Sequence, residues 1–225
     1  MYLKKYDITI DIMDYYDKNY FDWQKNIGNI GGFLNKFKFD KLIDKSHKVL
    51  DFGCGGGYLL KNIDCAEKIG LEINNSTHST CIENGVIVFD TFENMPNKYH
   101  NYFDVIISNH ALEHVQIPIN ILKNLYSLLK PMGILIIVLP CEQPGEEQFY
   151  YKENDINQHL HTWCPQTIGN LVKLAGFKIV ESINFQHQWT PDFQTRYLEH
   201  NYHKDCEEYA KKNGNQQLRC VGVKI

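Results

Sequence analysis

Residues 49–60 read VLDFGCGGGYLL. The first four are a strand apolar on both faces apart from Asp51, and the last three, YLL, open a helix. Between them Gly53, Gly55 and Gly57 let the backbone turn sharply and approach a ligand, with the amides of the following helix start pointing at it. The pattern repeats outward from this point. KIGLEI gives a second strand, residues 75–84 a helix, VIVF a third strand and FDVIIS a fourth. PINILKNLYSLLK starts as a helix at Pro118 and is stopped by PMG, and ILIIVL is a fifth strand. Short apolar strands spaced by helices form a parallel sheet covered on both sides. Residues 165–175 continue as a helix and FKIVESI as a strand. One polar helical segment over 195–212 then precedes a last strand, QLRCVGVKI.

Glu72 ends the second strand, 19 positions after Gly53. A carboxylate there can accept hydrogen bonds from both hydroxyls of a ribose, which suits a dinucleotide equally well. The dinucleotide fingerprint G-x-G-x-x-G, however, needs a third glycine where this chain has Tyr58, and no separate substrate domain follows. A ligand with ribose and adenine but no pyrophosphate fits better, and S-adenosylmethionine is such a ligand.

The segments VLDFGCGGG, GLEIN, FDVIISNHALEHV, LLKPMGILIIVLP and LVKLAGFKIVE stand in one order over residues 48–181. In that order and spacing they resemble the class I S-adenosylmethionine-dependent methyltransferases, in particular the type 11 group and its sugar- and glycan-pathway members. The resemblance implies a Rossmann-like α/β fold: a seven-stranded, mostly parallel sheet with helices on both faces and an antiparallel last strand. The chain is then one domain, 1–225, with a helical N-terminal cap or lid over 1–45 and a core over 46–225. By the same resemblance Asp51, Gly53, Gly55 and Gly57 border the methionine part of the cofactor, and Glu72 holds the ribose. The adenine contact falls in TFENMP, where Thr91 takes the usual acidic slot, Asp90 precedes it, and the Phe92 amide can serve instead. Asn109 and His110 stand where the donor methyl meets the acceptor.

Asn109, His110, Glu113 and His114 cluster where the fourth strand should end. Histidine titrates near neutrality, and the carboxyl edge of an open parallel sheet is where ligands bind, so His110 and His114 are candidate bases, with His110 preferred. Four positions apart, they share a face if a helix begins there. A second pair, His159 and His161, follows the fifth strand. Quinone methyltransferases and small-RNA 2′-O-methyltransferases carry a similar E-x-x-E-H turn with a later histidine around a divalent metal. Here the corresponding set is His110, Glu113, His114 and His159, with histidine in place of the first acid. The expected reading is a catalytic base without metal, with a metal site and simple capping of the turn as alternatives.

Composition narrows the partners. The 225 residues are 43% hydrophobic and 22% charged, with a net charge of −4 and pI near 6.2. No lysine/arginine stripe suggests nucleic acid. The N-terminal residues lack a signal-type apolar core, and the longest apolar run, 134–139, is too short to cross a bilayer. Seven scattered cysteines without a C-x-x-C pair fit a reduced, cytoplasmic protein. A long loop over 140–163, rich in aromatic, amide and histidine side chains, points to a small polyhydroxylated acceptor, a sugar or sugar nucleotide. RNA ribose, a phenolic or quinone acceptor, and a catalytically silent binding subunit are the alternatives; a homodimer is compatible with the sequence.

Overall fold

The structure, a computed structural model, describes residues 18–141, 151, 153 and 157–225. The first 17 residues, and most of the long loop after Pro140 on which the sugar reading rests, lie outside the described residues. Seven strands form one sheet: β1 (Lys48–Phe52), β2 (Glu67–Leu71), β3 (Ile87–Phe89), β4 (Phe103–Asn109), β5 (Leu129–Pro140), β6 (Lys178–Phe185) and β7 (Gln217–Val223), in the order β3-β2-β1-β4-β5-β7-β6. The first five pair in parallel, and β7 alone runs against them, wedged between β5 and β6. This is the expected seven-stranded Rossmann-like sheet with its antiparallel last strand.

Successive strand residues point to opposite faces, so strands covered twice need apolar residues at every position. On one face Leu50, Ile69, Ile106, Leu135 and Ile137 pack with Leu122 and Leu125 of α4 (Pro118–Leu128) and Ile168 and Val172 of α5 (Pro165–Leu174). On the other, Val49, Val105, Ile107, Ile136 and Val138 pack with Leu59 and Leu60 of α2 (Tyr58–Asn62) and Cys81 of α3 (His78–Glu83). Each such side chain contributes about 1.5–3 kcal/mol on burial.

Two segments differ from the sequence expectation. The helix expected over 195–212 is split into α6 (Phe193–Arg196) and α7 (Tyr202–Asn213). Across the intervening turn Arg196 pairs with Glu199 and Asp205. Leu129 and Lys130, expected in the helix, and the PMG expected to stop it instead begin β5, with a register shift opposite Phe103–Val105.

The N-terminal helix α1 (Lys18–Asn35) lies across the glycine loop. Its GNIGG segment allows this. A side chain at Gly32 would collide with the Tyr58 backbone, and one at Gly31 would sit 2.8 Å from the Trp189 ring. Leu34 anchors its end against Tyr202 and Cys206 of α7.

Candidate active site

The carboxyl ends of β1, β2 and β4 open into a cavity of about 480 Å³ lined by Gly53, Gly55, Glu72, Thr91, Phe92, His110 and His114, among others. A smaller one, about 190 Å³, lies under α1 and takes in Asp51, Tyr58, Asn109 and Trp189. Gly53 and Gly55 border both, so the glycine loop is the partition between them. Gly53 has φ +74°, and a side chain there would strike Ala111. The loop and the segment after β4 can therefore touch only at a glycine. Gly57 lines neither cavity. It caps α2, and a side chain there would meet Val86.

Glu72 is held in place by the backbone. Its Oε2 accepts from the Gly55 amide at 2.8 Å and its Oε1 from the Asn74 amide at 2.9 Å. A carboxylate offers about four lone-pair sites, so each oxygen keeps capacity for one more donor, as two neighbouring hydroxyls would supply. Burial raises its pKa, and the two amides oppose that shift. Asp51 is different. It is 2% exposed, and its Oδ1 has no hydrogen-bond partner among the described residues. Burial, and then the nearby Glu72 charge, push its carboxyl well above the ordinary range. A cation beside it would reverse that shift.

Thr91 and Phe92 line the larger cavity, and the Phe92 ring stacks on Phe52 with centroids 6.1 Å apart. Asp90, also at its wall, accepts from the Thr91 amide and Asn94.

At the end of β4 the chain leaves through His110, whose φ of +52° is rare for a residue with a side chain. No helix follows. A single 3₁₀ turn, Leu112–His114, replaces the helix on which a shared His110–His114 face depended. The rings converge on Glu113 instead. His110 Nδ1, His114 Nε2 and His159 Nε2 lie 3.7, 3.9 and 4.0 Å from Glu113 Oε1. Glu113 is 1% exposed, and neither oxygen has a hydrogen-bond partner among the described residues, so its carboxyl does not cap the turn. Burial pushes its pKa up to about 8. The segment carrying His159 is pinned here. The Leu160 and His161 amides donate to the Glu113 carbonyl at 2.9 and 3.1 Å, and the His161 ring contacts the Val115 carbonyl at 2.8 Å.

Two residues the sequence reading missed complete the site. Lys38, 4% exposed, donates to Gln217 Oε1 at 2.7 Å and Asn109 Oδ1 at 3.3 Å. No carboxylate pairs with it among the described residues, and burial lowers its pKa to about 7. The Gln217 Nε2 donates to the His187 carbonyl at 2.8 Å, which fixes the amide so that Oε1 faces both Lys38 and His110 Nε2, the latter at 3.2 Å. A carbonyl oxygen only accepts, so His110 Nε2 must carry the proton and Nδ1 holds the lone pair. Burial, and then the Lys38 charge, hold the ring well below the ordinary histidine pKa. The lone pair is thereby available at neutral pH, on the side facing Glu113.

Residues 24–182 match the family described as methyltransferase domain. The chain belongs to that family. The chain is 31% identical over 163 residues to phosphoethanolamine N-methyltransferase 1 of Triticum aestivum, covering 65% of the chain and 32% of the wheat protein. It is 30% identical over 114 residues to the ubiquinone biosynthesis O-methyltransferase of Yersinia enterocolitica, covering 44% and 47% of the two chains. The match spans about a third of the length of the wheat relatives, at 32% and 37%. Among solved structures, a SAM-dependent methyltransferase of Thermotoga maritima superposes with a TM-score of 0.68 at 18% identity, over 95% of this chain and 100% of that one. Phosphoethanolamine N-methyltransferase 2 of Haemonchus contortus, solved with phosphomonomethylethanolamine and S-adenosylhomocysteine, gives 0.60 at 15%, over 96% and 60%. The class I methyltransferase expectation is met in both family and fold. None of these relatives' names concerns sugars or glycans. Among the described residues no helix is long and apolar enough to cross a membrane.

Proposed function

We propose that the chain transfers a methyl group from S-adenosylmethionine to a hydroxyl of a small-molecule acceptor, with His110 as the base. The observation that carries this is the forced tautomer of His110, a residue lining the cavity bordered by the glycine loop and Glu72, whose Nδ1 is left without a proton. The residues fit the cofactor. Glu72 keeps two acceptor positions for a ribose, Asp51 offers an orphaned buried carboxyl to the ammonium group, and Phe52, Thr91 and Phe92 line the cavity at the adenine end. When bound, the cofactor supplies a methyl group already activated on a sulfonium. Aiming the acceptor and removing its proton are left to the protein. In this reading Asn109 and Lys38 form the polar floor, and His110 Nδ1 takes the hydroxyl proton.

The finer reading keeps a sugar or sugar-nucleotide hydroxyl as the acceptor, on the strength of the aromatic and amide-rich 140–163 segment. The wheat and nematode relatives favour a second reading, an amine on a phosphorylated small molecule. Purified protein with methyl-labelled cofactor separates them: a nucleotide-linked sugar, a catechol and phosphoethanolamine are offered in parallel, with an RNA oligomer as control. Transfer to phosphoethanolamine alone would replace the hydroxyl reading with the amine one. Transfer to none, with no binding of S-adenosylhomocysteine, would remove the activity altogether.

A further inference from the structure

Glu113 is a buried carboxyl on the turn after β4. It is enclosed, and neither oxygen accepts a hydrogen bond among the described residues. Burying a carboxyl without a partner is unfavourable, and such a group calls for a reason such as an ion or ligand that binds it. Its surroundings consist of imidazoles. The ion pairs found for it among the described residues are to His110, His114 and His159, with no lysine or arginine. One ligand atom each from Glu113, His114 and His159 can be chosen so that all three lie within 4.8 Å of one another. Nitrogen and oxygen donors about 2.1 Å from one tetrahedral ion stand about 3.4 Å apart, so contacts of 3.9 and 4.0 Å need only a small contraction.

We infer that Glu113, His114 and His159 form a binding site for a single transition-metal ion of the zinc class, with a fourth coordination position open toward the cavity.

The surrounding chain supports the three donors. Two backbone hydrogen bonds and the His161–Val115 contact hold the 159–161 segment against the 3₁₀ turn, so the ligands from two distant parts of the chain are brought together before any ion arrives. His114 lines the large cavity, which gives the ion a route in and gives the open position an outlook onto the acceptor. His110 stands at the rim of the site, 3.7 Å from Glu113 Oε1, and Gln217 holds it from the other side. Two imidazoles with one carboxylate suit zinc or a neighbouring transition metal far better than magnesium, which prefers oxygen. The ion would neutralise Glu113 and, on a hydroxyl bound at the open position, lower the pKa of the proton that His110 takes.

The site goes beyond the methyl-transfer reading and is tested without turnover. Full-length protein stripped with a chelator is titrated with zinc chloride by calorimetry, and its melting temperature is followed with and without zinc. One zinc per chain and a zinc-dependent rise in melting temperature are expected. Glu113→Gln, which keeps the shape of the side chain, and His159→Ala should each weaken zinc binding by roughly 100-fold and abolish the rise. His110→Ala should bind zinc like the wild type. S-adenosylhomocysteine titrated into each variant verifies folding and reports on the cofactor reading separately. No zinc uptake by the wild type, or equal uptake by the wild type, Glu113→Gln and His159→Ala, would overturn the site even if the cofactor binds.

Discussion

Glu72 and Glu113 are both buried acids at the carboxyl edge of the same sheet, and they are treated in opposite ways. Glu72 ends β2 beside two backbone amides that belong to the glycine loop and to the turn at Asn74, so its charge is held by the fold itself. Glu113 sits on a 3₁₀ turn among three imidazoles, and neither oxygen accepts a hydrogen bond among the described residues; burial raises its pKa, and only its own backbone amide opposes that rise. The cofactor side of the sheet is prepared in advance. The acceptor side is left incomplete. A carboxylate already stabilised by amides discriminates between neutral ligands by hydrogen-bond geometry. One without donors responds chiefly to positive charge.

Three variants test this contrast, from the largest expected effect to the smallest. His110→Ala should lower kcat by roughly 10²–10⁴-fold while leaving S-adenosylhomocysteine affinity within about twofold, read by steady-state kinetics and calorimetry. Unchanged turnover would move the base to another residue and detach the acceptor side from catalysis. Glu72→Ala should do the reverse at the binding step. Losing two charge-assisted hydrogen bonds at about 1.5 kcal/mol or more apiece weakens S-adenosylhomocysteine by roughly 100-fold or more, with zinc uptake unaffected. Equal affinity in the two proteins would show that the prepared carboxylate prepares nothing.

Lys38→Met has the smallest effect, and it appears in the pH dependence. The folded-state pKa of Lys38, about 7, lies below the ordinary lysine value. Between pH 7 and about 10.4 the unfolded chain therefore binds more protons at this group, and wild-type stability should rise with pH relative to Lys38→Met. The difference is expected to reach about 1–3 kcal/mol, or roughly 2–12 °C in melting temperature. Parallel melting curves from pH 7 to 10 would mean that the lysine is not held neutral by its surroundings.

The sheet and the placement of the glycine loop beside Glu72 were readable from sequence because each signal is local. The strand, glycine loop and helix of residues 49–60 are contiguous, and Glu72 lies one strand away. The acceptor side is built from residues far apart in the chain. Lys38 meets Gln217 across 179 positions, a contact that exists only because β7 runs antiparallel and so begins, rather than ends, at the site edge. No spacing rule reveals it. Glu113 could be read as a candidate from LEH, but a glutamate there resembles a turn cap. Only the closure of the 159–161 segment over it shows that its oxygens cap nothing. The expected helix starting near His110 failed for a related reason. The His110 amide bonds back to the Val138 carbonyl, extending the sheet by one residue and sending the chain out through a left-handed turn.

That left-handed turn has a consequence for how the protein can change. A side chain at φ +52° costs the fold about 1 kcal/mol relative to glycine, and asparagine bears the conformation more easily than most residues. Selection for thermal stability alone would favour glycine or asparagine at position 110. With His110 as the proposed base, selection for turnover would hold histidine there. The residue is thus a point where robustness and activity conflict, and a library screened for one should drift away from the other at this position first.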